Sequence, residues 1–118
     1  MTRRDLGLYI LDDAGNPVAT DDVLVWGRFM SSGKRAVAQE MIGDVRVSTV
    51  FLGIDHQFGD GPPILWETMV FWPDEGGNEC HRYSSLTEAR AGHELVVARI
   101  EGVVEAGLGL DEVPLKPK

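Results

Sequence analysis

Three histidines, one cysteine and a carboxylate inside an apolar run are the residues whose types could do chemistry in this chain. His56 follows Asp55 in a stretch rich in Gly and Pro, and Glu67 lies within Ile64-Leu65-Trp66-Glu67-Thr68-Met69-Val70-Phe71. A loop joining two paired strands brings its ends together. His56 and Glu67 can then meet as a His–carboxylate pair, suited to acid–base chemistry or to holding a metal. His93 falls on an apolar helical stripe, from which it could reach Glu67 or Tyr83 in a buried polar network. The candidate polar pocket is therefore His56, Glu67, Tyr83 and His93. Cys80-His81 sets a thiol beside an imidazole, but no ligand pair has the spacing of a zinc motif and no nucleophile signature surrounds the thiol. Gly59-Asp60-Gly61-Pro62-Pro63 lacks a Gly-Lys-Ser/Thr, precedes no helix, and loses amide donors to its prolines, so it is no phosphate cradle. No catalytic residue, metal or cofactor is expected. Each feature also has a plainer reading: His56 bonds loop backbone, Glu67 faces water, and His93 is a satisfied core residue.

The elements that must position these residues centre on a long β-hairpin, Val45 to Trp72. Val45 to Ile54 is rich in β-branched residues, with Val45, Val47, Thr49 and Phe51 on one face. Asp55 to Pro63 is the loop, and Ile64 to Trp72 the returning strand. Pro73 stops pairing there, Asp74 to Asn78 reads as a turn, and Glu79 to Tyr83 as a short edge strand. Arg35 to Ile42 pairs ahead of Val45 across Gly43-Asp44, whose leading Gly suits a type II′ turn. Upstream, Leu8 to Leu11 is a short strand, the Asp12–Pro17 run is a turn, and Val18-Ala19 returns as a second short strand. Asp21 or Asp22 can cap a helix running to Met30 and ended at Gly33. Val23, Leu24, Trp26, Phe29 and Met30 predict that this helix is largely buried.

Ser85-Leu86-Thr87-Glu88 matches a capping box. Leu86, Ala89, His93, Val96, Val97, Ile100, Val103 and Val104 then form one stripe at helical spacing. Residues 107–118 read as a loose tail of a single domain, 1–118. The order is β-α-β-β-β-α: an α+β fold with an antiparallel sheet of four to five strands and two helices mainly on one face. Trp66 and Trp72 share a strand face with Ile64, Thr68 and Val70. Covered, that face is core; uncovered, it is an aromatic patch fit for a partner or a homodimer.

Composition bounds the rest. The 118 residues suit one domain, and 43% apolar with 25% charged residues is ordinary for a globular protein. A single cysteine points to a reducing compartment, and no stretch approaches the ~20 apolar residues that span a bilayer, so a cytoplasmic protein away from membranes is expected. The net charge is −8. Between Arg46 and Arg82 there is no Lys or Arg, and Asp55, Asp60, Glu67, Asp74, Glu75 and Glu79 all fall there. That run disfavours direct nucleic-acid binding and favours a basic protein or a cation. The candidate binding surface is Asp55, His56, Asp60, Glu67, Asp74 and Glu75 with Trp66 and Trp72.

The run Val45 to His56, followed by Gly59, Gly61-Pro62-Pro63 and Leu65 to Phe71, resembles a family of small uncharacterised bacteriophage and prophage proteins. Leu8 to Asp12 with Gly15-Asn16-Pro17-Val18, Arg82-Tyr83-Ser84, Glu88-Ala89 and Ala91-Gly92-His93 extend the resemblance over roughly Leu8 to Arg99. Trp66 and Trp72 stand where Phe and Gly are expected. The resemblance implies a phage-associated protein in a bacterial host cell and carries no activity or site residues. Three functions compete: a non-enzymatic module binding a basic host protein, for example an inhibitor of a host defence such as CRISPR; a small-ligand site or enzyme at the polar pocket; and an accessory virion protein.

Overall fold

The computed structural model describes residues 7–57, 59–73 and 78–107. The elements run β1 (Leu8–Leu11), β2 (Pro17–Thr20), α1 (Val23–Met30), β3 (Ala36–Ile42), β4 (Val45–Phe51), β5 (Trp66–Phe71), β6 (Asn78–Tyr83) and α2 (Leu86–Glu105). They form an α+β fold with two antiparallel sheets: a ribbon β1-β2 and a meander β3-β4-β5-β6. Val18-Ala19 is thus part of a real strand, so the order opens β-β-α. The expected tail lies beyond Gly107, outside the described residues, as do Asp74 and Glu75.

Local chemistry sets these elements. Asp12 Oδ1 accepts from the amides of Ala14 and Asn16, and Gly15 takes φ +88° to close the β1–β2 turn. Gly43 takes φ +60° while Asp44 does not take positive φ, the combination a type II′ turn needs. Ile42 pairs with Val45 directly across it. The hairpin strands are shorter than their apolar runs. Strand β4 stops at Phe51 because Gly53 turns the chain at φ +77°. The two runs still touch past that point, with the Leu52 amide on the Leu65 carbonyl and the His56 amide on the Ile64 carbonyl.

Helix α2 covers one face of the meander. Its Val96, Val97, Ile100 and Val103 pack on Val45, Val47, Val70 and Trp72. A second buried group, Phe51, Leu65, Trp66 and Ala89, lies at the other end of that face, with Tyr9, Leu11, Phe29 and Val37 around it. Burying a large apolar side chain contributes roughly 1.5–3 kcal/mol, so these two clusters hold α2 and the ribbon to the sheet.

Helix α1 corrects an expectation. Asp22 caps it, accepting from Leu24 and Val25 amides, but none of its residues is buried and Leu24 is 72% exposed. It packs by one side only: Phe29 meets Phe51 edge-on, and Trp26 Nε1 donates to the Gly53 carbonyl at 2.9 Å. Eight residues are two turns, too few to be wrapped, so the remaining apolar residues stay in solvent.

Candidate functional site

Residues facing each other across antiparallel strands share a face, so the register sorts the candidates. Thr49 faces Thr68, and Trp66 faces Tyr83, all beneath α2. Glu67 faces Arg82 on the opposite side. The expected pocket therefore splits. Tyr83 and His93 join one network, Glu67 belongs to another, and His56 stays at the loop base.

The covered face holds a continuous hydrogen-bond chain. Tyr83 donates to Thr68 Oγ1 at 3.0 Å, Thr68 bonds Thr49, Thr49 bonds His93 Nδ1 at 2.7 Å, and His93 Nε2 bonds Glu40 Oε1 at 2.8 Å. A neutral imidazole with its proton on Nε2 satisfies every hydroxyl in one direction, from the phenol to the Glu40 carboxylate. Thr49, Thr68 and His93 are buried, while half of the Glu40 side chain is exposed. Burial pushes the Tyr83 phenol up from its ordinary value. Glu40, His93 and Thr49 stand in the carboxylate–imidazole–hydroxyl order of a hydrolase triad. Thr49 has no exposed surface, however, so no substrate atom can reach its hydroxyl. The arrangement ties β3, β4, β5, β6 and α2 together. Thr49 and Thr68 were legible only as hydroxyls at inward-facing strand positions, and Glu40 carried no signal.

The opposite face is built from pairs. Glu67 Oε2 accepts from Cys80 Sγ at 3.0 Å and from Arg82 Nε at 2.9 Å, and the bond to Glu67 raises the Arg82 guanidinium above its ordinary value. The Arg46 guanidinium lies 4.1 Å from the Phe71 ring centre. At the β6–α2 side, Glu79 accepts from His81 at 2.7 Å and from Arg99. A cavity of about 180 Å³ opens there, lined by His81, Tyr83, Gly92, Leu95, Val96 and Arg99.

The candidate binding surface is thereby revised. Trp66 and Trp72 are 1% and 8% exposed, so they are core and can touch no partner. Asp55 Oδ1 accepts from the Gln57 and Ile64 amides and closes the loop base. Asp60 is exposed. Of the carboxylates in the base-free run, Glu67 and Glu79 are answered by Arg82 and Arg99, which return in space from beyond the run.

Among the described residues, further carboxylates without a basic partner lie outside that run. Asp44 in the β3–β4 turn and Glu101 and Glu105 near the end of α2 are exposed, and the last helical turn has no basic residue. A Cβ on Gly43 would lie 3.2 Å from Val104 Cγ1, so this turn rests on the end of the helix. The helix terminus adds its own partial negative charge. Among the described residues no group of three metal-ligating side chains occurs, and no helix is long and apolar enough to cross a membrane. Comparison with known proteins gives no match to a family model, a curated protein or a solved structure.

Proposed function

We propose that this is a phage-associated, non-enzymatic protein-binding module that acts on a basic host protein through its carboxylate-rich surface. Inhibition of a host defence system such as CRISPR interference, by occupying a basic nucleic-acid channel, is one concrete form. The observation that carries the reading is the acidic pole of Asp44, Glu101 and Glu105. Glu101 and Glu105 are one helical turn apart, an arrangement of like charges that destabilises a helix by a few tenths of a kcal/mol. They also stand at the end of the macrodipole where cations are favoured. A surface that works against its own helix gains most from a cationic partner.

The test is a pull-down from bacterial host lysate with the full chain and with Asp44→Asn/Glu101→Gln/Glu105→Gln. A basic protein is expected on the native chain at low salt, lost at high salt, and lost in the triple variant at either. Capture of nothing at low salt, or capture indifferent to both salt and variant, overturns the reading.

A further inference from the structure

The two edges of the four-stranded sheet are unlike. The β3 edge carries a register shift between Ala36 and Ala38, a bulge of the kind that spoils an edge for further pairing. Strand β6 pairs with β5 in unbroken register over six residues, holds no Pro or Lys, and among the described residues no strand pairs with its outer side. Its outward amides and carbonyls are a template for another strand. Beside it, Leu95 of α2 is 72% exposed at the rim of the cavity lined by His81 and Tyr83.

We infer that a second copy of this chain occupies the β6 edge, pairing antiparallel across a two-fold axis normal to the sheet. The charge pattern of Asn78-Glu79-Cys80-His81-Arg82-Tyr83 selects both the occupant and the register. In such a dimer facing residues share a face, so the strand can be set with Glu79, Cys80 or His81 on the axis. Glu79 on the axis opposes two carboxylates, and His81 on the axis opposes two imidazoles. Cys80 on the axis sets Glu79 against His81 of the other copy, twice, and Arg82 against Asn78, with no like charges facing. Two Arg99 guanidiniums then balance two Glu79 carboxylates above the joined sheet. The exposed Leu95 side chains flank the axis on the helix side and become covered.

The register is tested through its axis residue. The full chain under reducing conditions is expected to scatter light as twice its 13.0 kDa mass. Treatment with diamide, which takes two electrons and two protons from a pair of thiols, is expected to convert most of the protein to a covalent dimer through Cys80. Cys80→Ser keeps the double mass and loses the cross-link. Cys80→Lys, which can still pair with Glu67, and Leu95→Glu each halve the mass while the circular dichroism spectrum is unchanged. A monomer in the native chain overturns the inference. So does a dimer that diamide does not cross-link, or one that survives both charged substitutions, since each assigns the contact to another surface.

Discussion

Strand β5 divides its side chains between two unlike worlds. Trp66, Thr68 and Val70 point under α2 and are buried, while Glu67, Met69 and Phe71 point to the other face and are half-buried. Both faces carry polar chains, yet their energetics differ. Under α2 the hydroxyls and imidazole nitrogens partner one another in a chain, and removing one strands its neighbour in a dry interior. On the far face water can replace Cys80, Arg82 or Glu67 as a partner, so the same number of bonds is worth less. Burial, more than residue type, decides which chain is structural.

The widest separation between the faces should come from aromatic truncation. Trp66→Ala removes a side chain with almost no exposure and is expected to cost about 3–5 kcal/mol. Phe71→Ala removes a ring shared between Arg46 and solvent and should cost about 1–2 kcal/mol. Urea titration of both variants checks this. Equal losses would mean that the far face is covered in solution.

The polar chains should separate next. Thr49→Val keeps the shape of the side chain but leaves His93 Nδ1 without a partner and Thr68 with Tyr83 alone, at a cost of about 1–3 kcal/mol. Glu67→Gln keeps an acceptor for Cys80 and Arg82 and should cost less than about 1 kcal/mol. Thermal unfolding ranks the two, and Glu40→Ala added to Thr49→Val should cost less than the two substitutions summed, because both act through the one His93 ring.

This contrast also marks what could be read from the sequence. The stripe on α2, its Ser85–Glu88 cap, the Gly43-Asp44 turn and the strand faces follow from local spacing and local chemistry, and the structure has them. Glu88 Oε1 accepts from the Ser84 amide and the Ser85 hydroxyl, one residue off the reciprocal bond of the ideal box. The pocket of His56, Glu67, Tyr83 and His93 failed for a physical reason: adjacent positions on a strand point to opposite faces, so Glu67 and Thr68 cannot serve the same site. The base-free run overstates the free charge at two of its six carboxylates, because charge in sequence is not charge in space. Arg82 and Arg99 fold back on Glu67 and Glu79. The burial predicted for α1 counted apolar residues without asking how much neighbour two turns can reach.

Two glycines on α2 sharpen the comparison within a single helix. Gly102 has open space around the position of a Cβ, so Gly102→Ala should stabilise by about 0.5–1 kcal/mol. A Cβ on Gly92 would collide with the Tyr83 ring and hydroxyl. Gly92→Ala should therefore destabilise, by about 1–3 kcal/mol, despite the same gain in helix propensity. Truncating Tyr83 to Ala in the Gly92→Ala background should remove the steric part. Denaturant midpoints of the four proteins test the opposite signs.

The smallest effect concerns the open end of the buried chain. Tyr83 donates to Thr68, and burial holds its phenol protonated beyond the ordinary value of 10.0. A group whose folded pKa is raised contributes stability that is complete below the unfolded value and is lost as pH rises through the folded one. Stability should thus be insensitive to this residue's titration from neutral pH to about 10 and fall above it. Tyr83→Phe removes the donor, costing about 1 kcal/mol at neutral pH, and should flatten the alkaline fall. The decisive measurement is urea unfolding of both proteins at pH 8 and at pH 11. If the difference between them is the same at both, the phenol does not lose its proton against the fold. The chain then ends at Thr68, with Tyr83 held by packing alone.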